Sequence, residues 1–151
     1  MEKPAFRLIG LAFHGKTTNK NNQSEKDCGD LWQKFEQEKI AARIPGKLSE
    51  TVYAVYFDYE SDENGRFSYF IGCKADDKIL LPEGLDELYI PAQHYEQVTA
   101  KGVMTGCITE AWQKVWDTIK NRKFGYDFEV YDERSRDWND ATVDICISIQ
   151  D

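Results

Sequence analysis

The sequence predicts an α+β fold. Two copies of a βαββ unit, related by pseudo-two-fold symmetry, form an antiparallel sheet with helices on one face and a ligand cleft on the other. Three observations predict it. The order strand, loop, helix, strand, hairpin, strand occurs twice along the chain. Leu31-Trp32-Gln33-Lys34-Phe35 aligns with Ala111-Trp112-Gln113-Lys114-Val115 at an offset of 80, and both runs sit in helix-periodic segments. Pro4-Ala5 and Pro91-Ala92 open the two halves, and Tyr53-Ala54-Val55-Tyr56 aligns with Phe128-Glu129-Val130-Tyr131. The first repeat covers about 4–75 and the second about 87–151, making one domain of 1–151.

The elements follow in order. Residues 6–13 (FRLIGLAF) form a short apolar run bounded by Pro4 and Gly15, a strand signal. A polar loop leads to a helix expected over 29–44, with Leu31, Trp32, Phe35, Lys39 and Ala42 at three-to-four spacing. Asp27 or Asp30 would cap it, and Pro45-Gly46 would end it. Residues 51–59 (TVYAVYFDY) are β-branched and aromatic, as strands require. The turn 60–65 holds Asn64-Gly65, a dipeptide that tolerates positive φ, and 67–74 is the returning strand. The polar stretch 75–86 connects the halves, and 87–100 is a strand interrupted at Pro91. A second helix is expected over 110–122, with Ala111, Trp112, Val115, Trp116 and Ile119 on one face. Strands at 128–132 and 142–149 close the repeat; in the latter Val143, Ile145, Ile147 and Ile149 alternate strictly.

Composition narrows the function. The chain has 151 residues, 41% apolar and 30% charged, a globular balance. Aromatics reach 13%, with four Trp, eight Tyr and eight Phe, which suits a ligand pocket as well as a core. Lys and Arg number 19 against 27 Asp and Glu, a net charge of −8 that repels phosphate backbones and argues against direct nucleic-acid binding. Cys28, Cys73, Cys107 and Cys146 form no CxxC pair and fit no zinc spacing, so free buried thiols in a cytoplasmic protein are expected. The N-terminus shows no leader signature, and no run approaches the ~20 apolar residues of a membrane span. His14 and His94 have no metal-ligand spacing, and no phosphate-binding or nucleophile-elbow motif occurs, so neither cofactor nor metal is expected.

Glu129 is the residue that stands out. Alternation puts it and Tyr131 on the face opposite Phe128 and Val130, and the apolar pair is expected to pack on the helices. Glu129 and Tyr131 would then face the cleft, with Ala54, Tyr56 and Asp58 from the first half and Asp144, Cys146 and Ser148 from the last strand. A carboxylate buried among aromatics needs a proton, hydrogen-bond donors or a cation. A solvated strand glutamate is the competing reading. Trp112 and Trp116 are core residues by default, or stack on a flat cation at the cleft. Trp138, in a polar loop, reads as a pocket lid or as simple loop packing.

In their order and spacing, these stretches resemble the GyrI-like effector-binding domains: 53–60 (YAVYFDYE), the hairpin through Asn64-Gly65 to Ile71-Gly72, 88–92 (LYIPA), Trp112 with Trp116, and 128–131 (FEVY). Such domains form the ligand-sensing part of multidrug-responsive and AraC-type transcription regulators, and also occur as stand-alone proteins, integron-cassette proteins among them. The resemblance implies a pseudo-two-fold pair of βαββ units that binds lipophilic organic cations in an aromatic cleft. It implies a buried glutamate in the motif fE.Y, here Glu129. The candidate ligand-binding set is then Glu129, Tyr56, Tyr131, Trp112, Trp116, Trp138, Ala54 and Phe13, with no catalytic or metal-ligating residue. The regulators carry a separate DNA-binding module, while the two repeats use up this chain. Sequestration of ligand, sensing on behalf of a partner regulator, and binding to a target protein all remain open. So do two alternatives within the family, a gyrase-inhibiting interaction protein and a small-molecule hydrolase with Glu129 as general base and Tyr56 or Tyr131 as donor.

Overall fold

The computed structural model describes residues 1–62 and 64–150. Glu63, inside the expected 60–65 turn, and Asp151 lie outside the described residues. The β-branched and aromatic runs become strands: β1 (Glu2–Lys3), β2 (Phe6–Ala12), β3 (Thr17–Thr18), β4 (Val52–Phe57), β5 (Arg66–Lys74), β6 (Asp86–Ile90), β7 (Gln93–Gly102), β8 (Asp127–Tyr131) and β9 (Ala141–Ile149). The helices are α1 (Gln23–Gln37) and α2 (Gly106–Thr118).

All strand pairs are antiparallel, in the order β1-β7-β9-β8-β4-β5-β2-β6, with β3 on the outer part of β5. The order reads the same from both ends. β7-β9-β8 of the second half mirrors β2-β5-β4 of the first, and the halves meet where β8 pairs β4. Ala54 lies directly opposite Glu129 at that seam. The short strands before the two Pro-Ala pairs are exchanged: β1 pairs β7 of the other half, and β6 pairs β2. Proline, which cannot donate to a ladder, marks the break at which each strand changes partners.

The sheet is curled and apolar on both faces. On one face Phe35 of α1 packs with Ile9, Leu11, Ala54, Tyr69 and Ile71, while Ala111 and Val115 of α2 pack with Ala100, Val143, Ile145 and Ile147. The other face closes on itself. Leu8, Val55, Ile90, Tyr95 and Phe128, from strands spread along the whole order, form a third cluster there. Gly10 and Gly72 face each other across β2 and β5, and a Cβ on Gly10 would meet the Ile71 carbonyl oxygen at 1.9 Å. Only glycine allows that approach.

Two expectations need correction. The first helix runs over Gln23–Gln37, not 29–44, and begins at Asn22 with neither Asp27 nor Asp30 as cap. Lys39, at φ 52°, turns the chain out of the helix, and Ala41–Arg43 forms a separate 3₁₀ turn. The second helix likewise starts and ends earlier than 110–122. The second correction concerns faces. Phe128 and Val130 point away from the helices into the third cluster, whereas Glu129 and Tyr131 point toward them. The cleft therefore lies on the helix side. Alternation fixes which residues share a face but not which face the helices cover, and here both faces are apolar enough to pack. Asp144, Cys146 and Ser148 do not share the Glu129 face. Glu129 pairs with Ile145 across β8 and β9, so residues 144, 146 and 148 lie on the opposite side.

Candidate functional site

The site is built at the seam between the halves. Cys28, Leu31, Trp32 and Phe35 form the packed stripe of α1. On α2, Cys107, Ala111 and Val115 are the buried stripe, and Ile108, Trp112 and Trp116 flank it, half-buried. β4 and β8 run beneath. Ala54 is fully buried and small, and this leaves room beside it for the longer Glu129 side chain. Tyr131 packs against both helix-side clusters and so spans the join.

Glu129 is only 2% exposed. Its Oε2 accepts hydrogen bonds from Trp112 Nε1 at 2.6 Å and from the Tyr56 hydroxyl at 2.8 Å, and its Oε1 accepts from the Tyr131 hydroxyl at 2.6 Å. Every donor is neutral. Burial pushes the carboxyl above its ordinary value, and the donors Tyr131, Trp112 and Tyr56 pull it back in part. A second tier surrounds these: Trp32 Nε1 donates to the Tyr69 hydroxyl at 2.8 Å, Tyr56 packs edge-on to both Tyr69 and Trp112 at 5.0 Å, and Trp32 packs edge-on to Tyr131 at 4.9 Å. Burial also holds the hydroxyls of Tyr56, Tyr69 and Tyr131 well above the usual phenol range, with the Glu129 charge adding to it, so they stay protonated donors. Burial raises the Cys28 thiol far above its normal value, which makes it an unreactive wall residue.

Two cavities are lined in part by residues of this cage. One of about 700 Å³ is lined by Trp32, Gln33 and Glu36 of α1, by Val52 and Tyr131, and by Met104, Arg136 and Trp138. One of about 170 Å³ is lined by Cys28, Tyr56, Tyr59, Trp112, Trp116 and Arg122, among others. Of the cage residues, Tyr131 lines the larger cavity and Tyr56 and Trp112 the smaller, while Glu129 itself lies behind these donors and lines neither.

The expected residues separate accordingly. Tyr56, Tyr131 and Trp112 converge on Glu129, with Ala54 beside it. Trp116 lines the smaller cavity; Trp138, 59% exposed, edges the larger, and its carbonyl accepts the Met104 amide at 2.8 Å. Phe13 packs on the α1-side core and lines neither cavity. Trp32, Tyr69 and Arg122 are site residues that sequence reasoning missed. The helix alignment carried a signal for one of them, since Trp32 is the repeat equivalent of Trp112. Cys73, Cys107 and Cys146 are free and buried and Cys28 is half-buried, and among the described residues no helix is long and apolar enough to cross a membrane.

The model of the Cass2 family, integron-associated effector-binding proteins, matches residues 1–149. The chain belongs to this family. In structure, this Cass2-family chain is similar to the integron cassette protein VCH_CASS2 from the mobile metagenome of Vibrio cholerae, with a TM-score of 0.73, 26% identity, and coverage of 99% of this chain and 94% of that one. It shares its fold with SAV2435, solved bound to tetraphenylphosphonium, at a TM-score of 0.78 and 16% identity over 99% and 92% of the two chains. In sequence it is 29% identical to the transcriptional regulator BrlR of Pseudomonas aeruginosa, over 99% of this chain but 54% of BrlR. The chain therefore spans about half the length of that relative.

Proposed function

We propose that this effector-binding protein binds amphipathic organic cations, with Glu129 as the counter-charge and Tyr56, Tyr131, Trp32 and Trp112 as the aromatic walls. The observation that carries the reading is a buried carboxylate whose hydrogen-bond partners among the described residues are all neutral donors. Such a group is costly to bury, and a desolvated cation stacked on the surrounding rings supplies the missing charge. The larger cavity falls within the ordinary range of ligand sites. Glu36, Glu50, Asp132 and Glu133 line it with Arg136; Lys47 pairs with Glu50 and Arg134 with Asp132, and the small negative surplus that remains favours cations at its mouth. SAV2435, of the same fold, is described as binding tetraphenylphosphonium, a cation of this class. The ligand serves as an effector, read out by a regulator or other protein partner; the longer relative BrlR is named a transcriptional regulator. Trp138 and Trp116 then act as outer walls of the two cavities. Phe13, half-buried against the α1-side core, has no assigned part in this reading.

One observation favours the hydrolase alternative, the pairing of tyrosine hydroxyls with a carboxylate. The same pairing weakens it, because three donors occupy the lone pairs a general base would use. The experiment is a thermal-shift titration with tetraphenylphosphonium and with neutral triphenylphosphine oxide. A ligand at a hundred times its Kd adds about 2.7 kcal/mol of stability, so saturable stabilisation by the cation is expected, with little from the neutral compound. No stabilisation by the cation, or an equal effect of both compounds, contradicts the reading.

A further inference from the structure

The smaller cavity, whose walls Tyr56 and Trp112 also donate to Glu129, holds a second polar feature. Arg122 is 7% exposed and forms a buried ion pair, Nη2 to Asp127 Oδ2 at 2.9 Å. Its guanidinium lies over the Phe124 ring at 4.2 Å, with Tyr59 and Trp112 beside it at 5.7 and 5.9 Å. Its Nε is buried and has no acceptor among the described residues. Asp127 cannot serve it. Oδ2 already accepts from the Tyr59 hydroxyl at 2.6 Å as well as from Arg122, and Oδ1 accepts from the amide and hydroxyl of Ser148 at 2.7 and 2.8 Å. Native proteins rarely leave a buried donor unmet without a functional reason.

The cavity beside this donor has a defined chemistry. Tyr56, Tyr59, Phe67, Trp112 and Trp116 give it flat apolar walls. Its volume of about 170 Å³ equals the liquid volume of about six waters, enough for one substituted ring. The charge of Arg122 is already balanced by Asp127, and Glu25 lines the same cavity, so an anion gains nothing there. We propose that this cavity is a second ligand subsite that takes an aromatic group bearing a neutral hydrogen-bond acceptor, such as a ketone, amide or ether oxygen, on Arg122 Nε. Because Nε is itself buried, ligand binding requires the guanidinium to turn about its Nη2 contact. The subsite takes its hydrogen bond from Arg122 and does not use the Glu129 charge.

Acetophenone and isopropylbenzene test this. They match in shape, and only the ketone has an acceptor. Binding is followed on the side-chain Nε–H resonances of ¹⁵N-labelled protein, with the Arg122 peak assigned through bonds. Acetophenone should shift that peak saturably and bind about tenfold tighter than isopropylbenzene, since a site built around a polar group discriminates against the analogue lacking its partner. In Arg122→Lys, which keeps a cation for Asp127 but has no Nε, the ratio should fall to about one. An unmoved Arg122 peak at saturating acetophenone overturns the proposal, as does equal affinity for the two compounds in the wild type. Both readouts stand without the variant.

Discussion

Trp112→Phe isolates one of the three hydrogen bonds in the cage. The substitution keeps a six-membered ring against Tyr56 and removes the indole N–H that reaches Glu129 Oε2 at 2.6 Å. A hydrogen bond to a charged acceptor is worth about 1.5–3 kcal/mol. Tyr56 and Tyr131 continue to donate, so the carboxylate is not orphaned and the loss should stay near 2 kcal/mol. For a chain of this size that is a fall in Tm of about 4–8 °C. Trp116→Phe is the control: it removes the same atoms from the same helix, at a residue with no contact to the carboxylate among the described hydrogen bonds. Trp32→Phe is a second control, because it loses a neutral bond to Tyr69 at 2.8 Å, worth about 1 kcal/mol. Urea unfolding followed by far-ultraviolet circular dichroism supplies the numbers. The excess cost of Trp112→Phe should shrink in acid, where Glu129 takes up a proton and the bond loses its charge assistance. A Trp112→Phe cost no greater than that of Trp116→Phe, or one independent of pH, would refute the assignment of Glu129 as a buried ionised acceptor.

Three further outcomes follow from the same geometry. Burial holds Glu129 above its ordinary 4.5, so the folded chain binds that proton more readily than the unfolded chain. Its contribution to stability is greatest below the unfolded value and is lost as pH rises through the folded one. The difference in unfolding free energy between wild type and Glu129→Gln should therefore decline from about pH 4 upward and then level off; a flat difference counts against it. Asp127→Asn leaves Arg122 buried without its partner and should cost about 3–5 kcal/mol, measurable as a lower urea midpoint. Gly10→Ala drives a methyl into the Ile71 carbonyl and should cost about 3 kcal/mol or more; an unchanged Tm would show that β2 and β5 can separate there.

The repeat, the order of strands and helix along each half and the equivalence of Ala54 and Glu129 were legible in the sequence, because they rest on local periodicity and on alignment of the halves; that these two residues lie opposite each other at the seam was not. The α1 start was not legible. Gln23 to Lys26 are polar and exposed, and they join the helix only because Cys28, Leu31, Trp32 and Phe35 are already docked. The cleft side was misread for a related reason. Val130 and Phe128 look more core-like than Glu129, yet three donors from distant segments make the carboxylate compatible with the helix side. Those donors are 73, 17 and 2 residues away, and no window of sequence holds them together. Exchange of β1 and β6 between halves is equally non-local, and only the two Pro-Ala pairs hint at it. Trp32 was recoverable from the helix alignment, whereas the Arg122–Asp127 pair was not, since neither residue lies in a repeated motif.

The central claim is that the Glu129 carboxylate balances a bound organic cation. Isothermal titration of tetraphenylphosphonium into wild type and Glu129→Gln in one buffer tests it most directly, because the substitution preserves size and removes the charge. Affinity should fall at least about tenfold in the variant, or about 1.4 kcal/mol. Equal affinities in two folded proteins would contradict the claim.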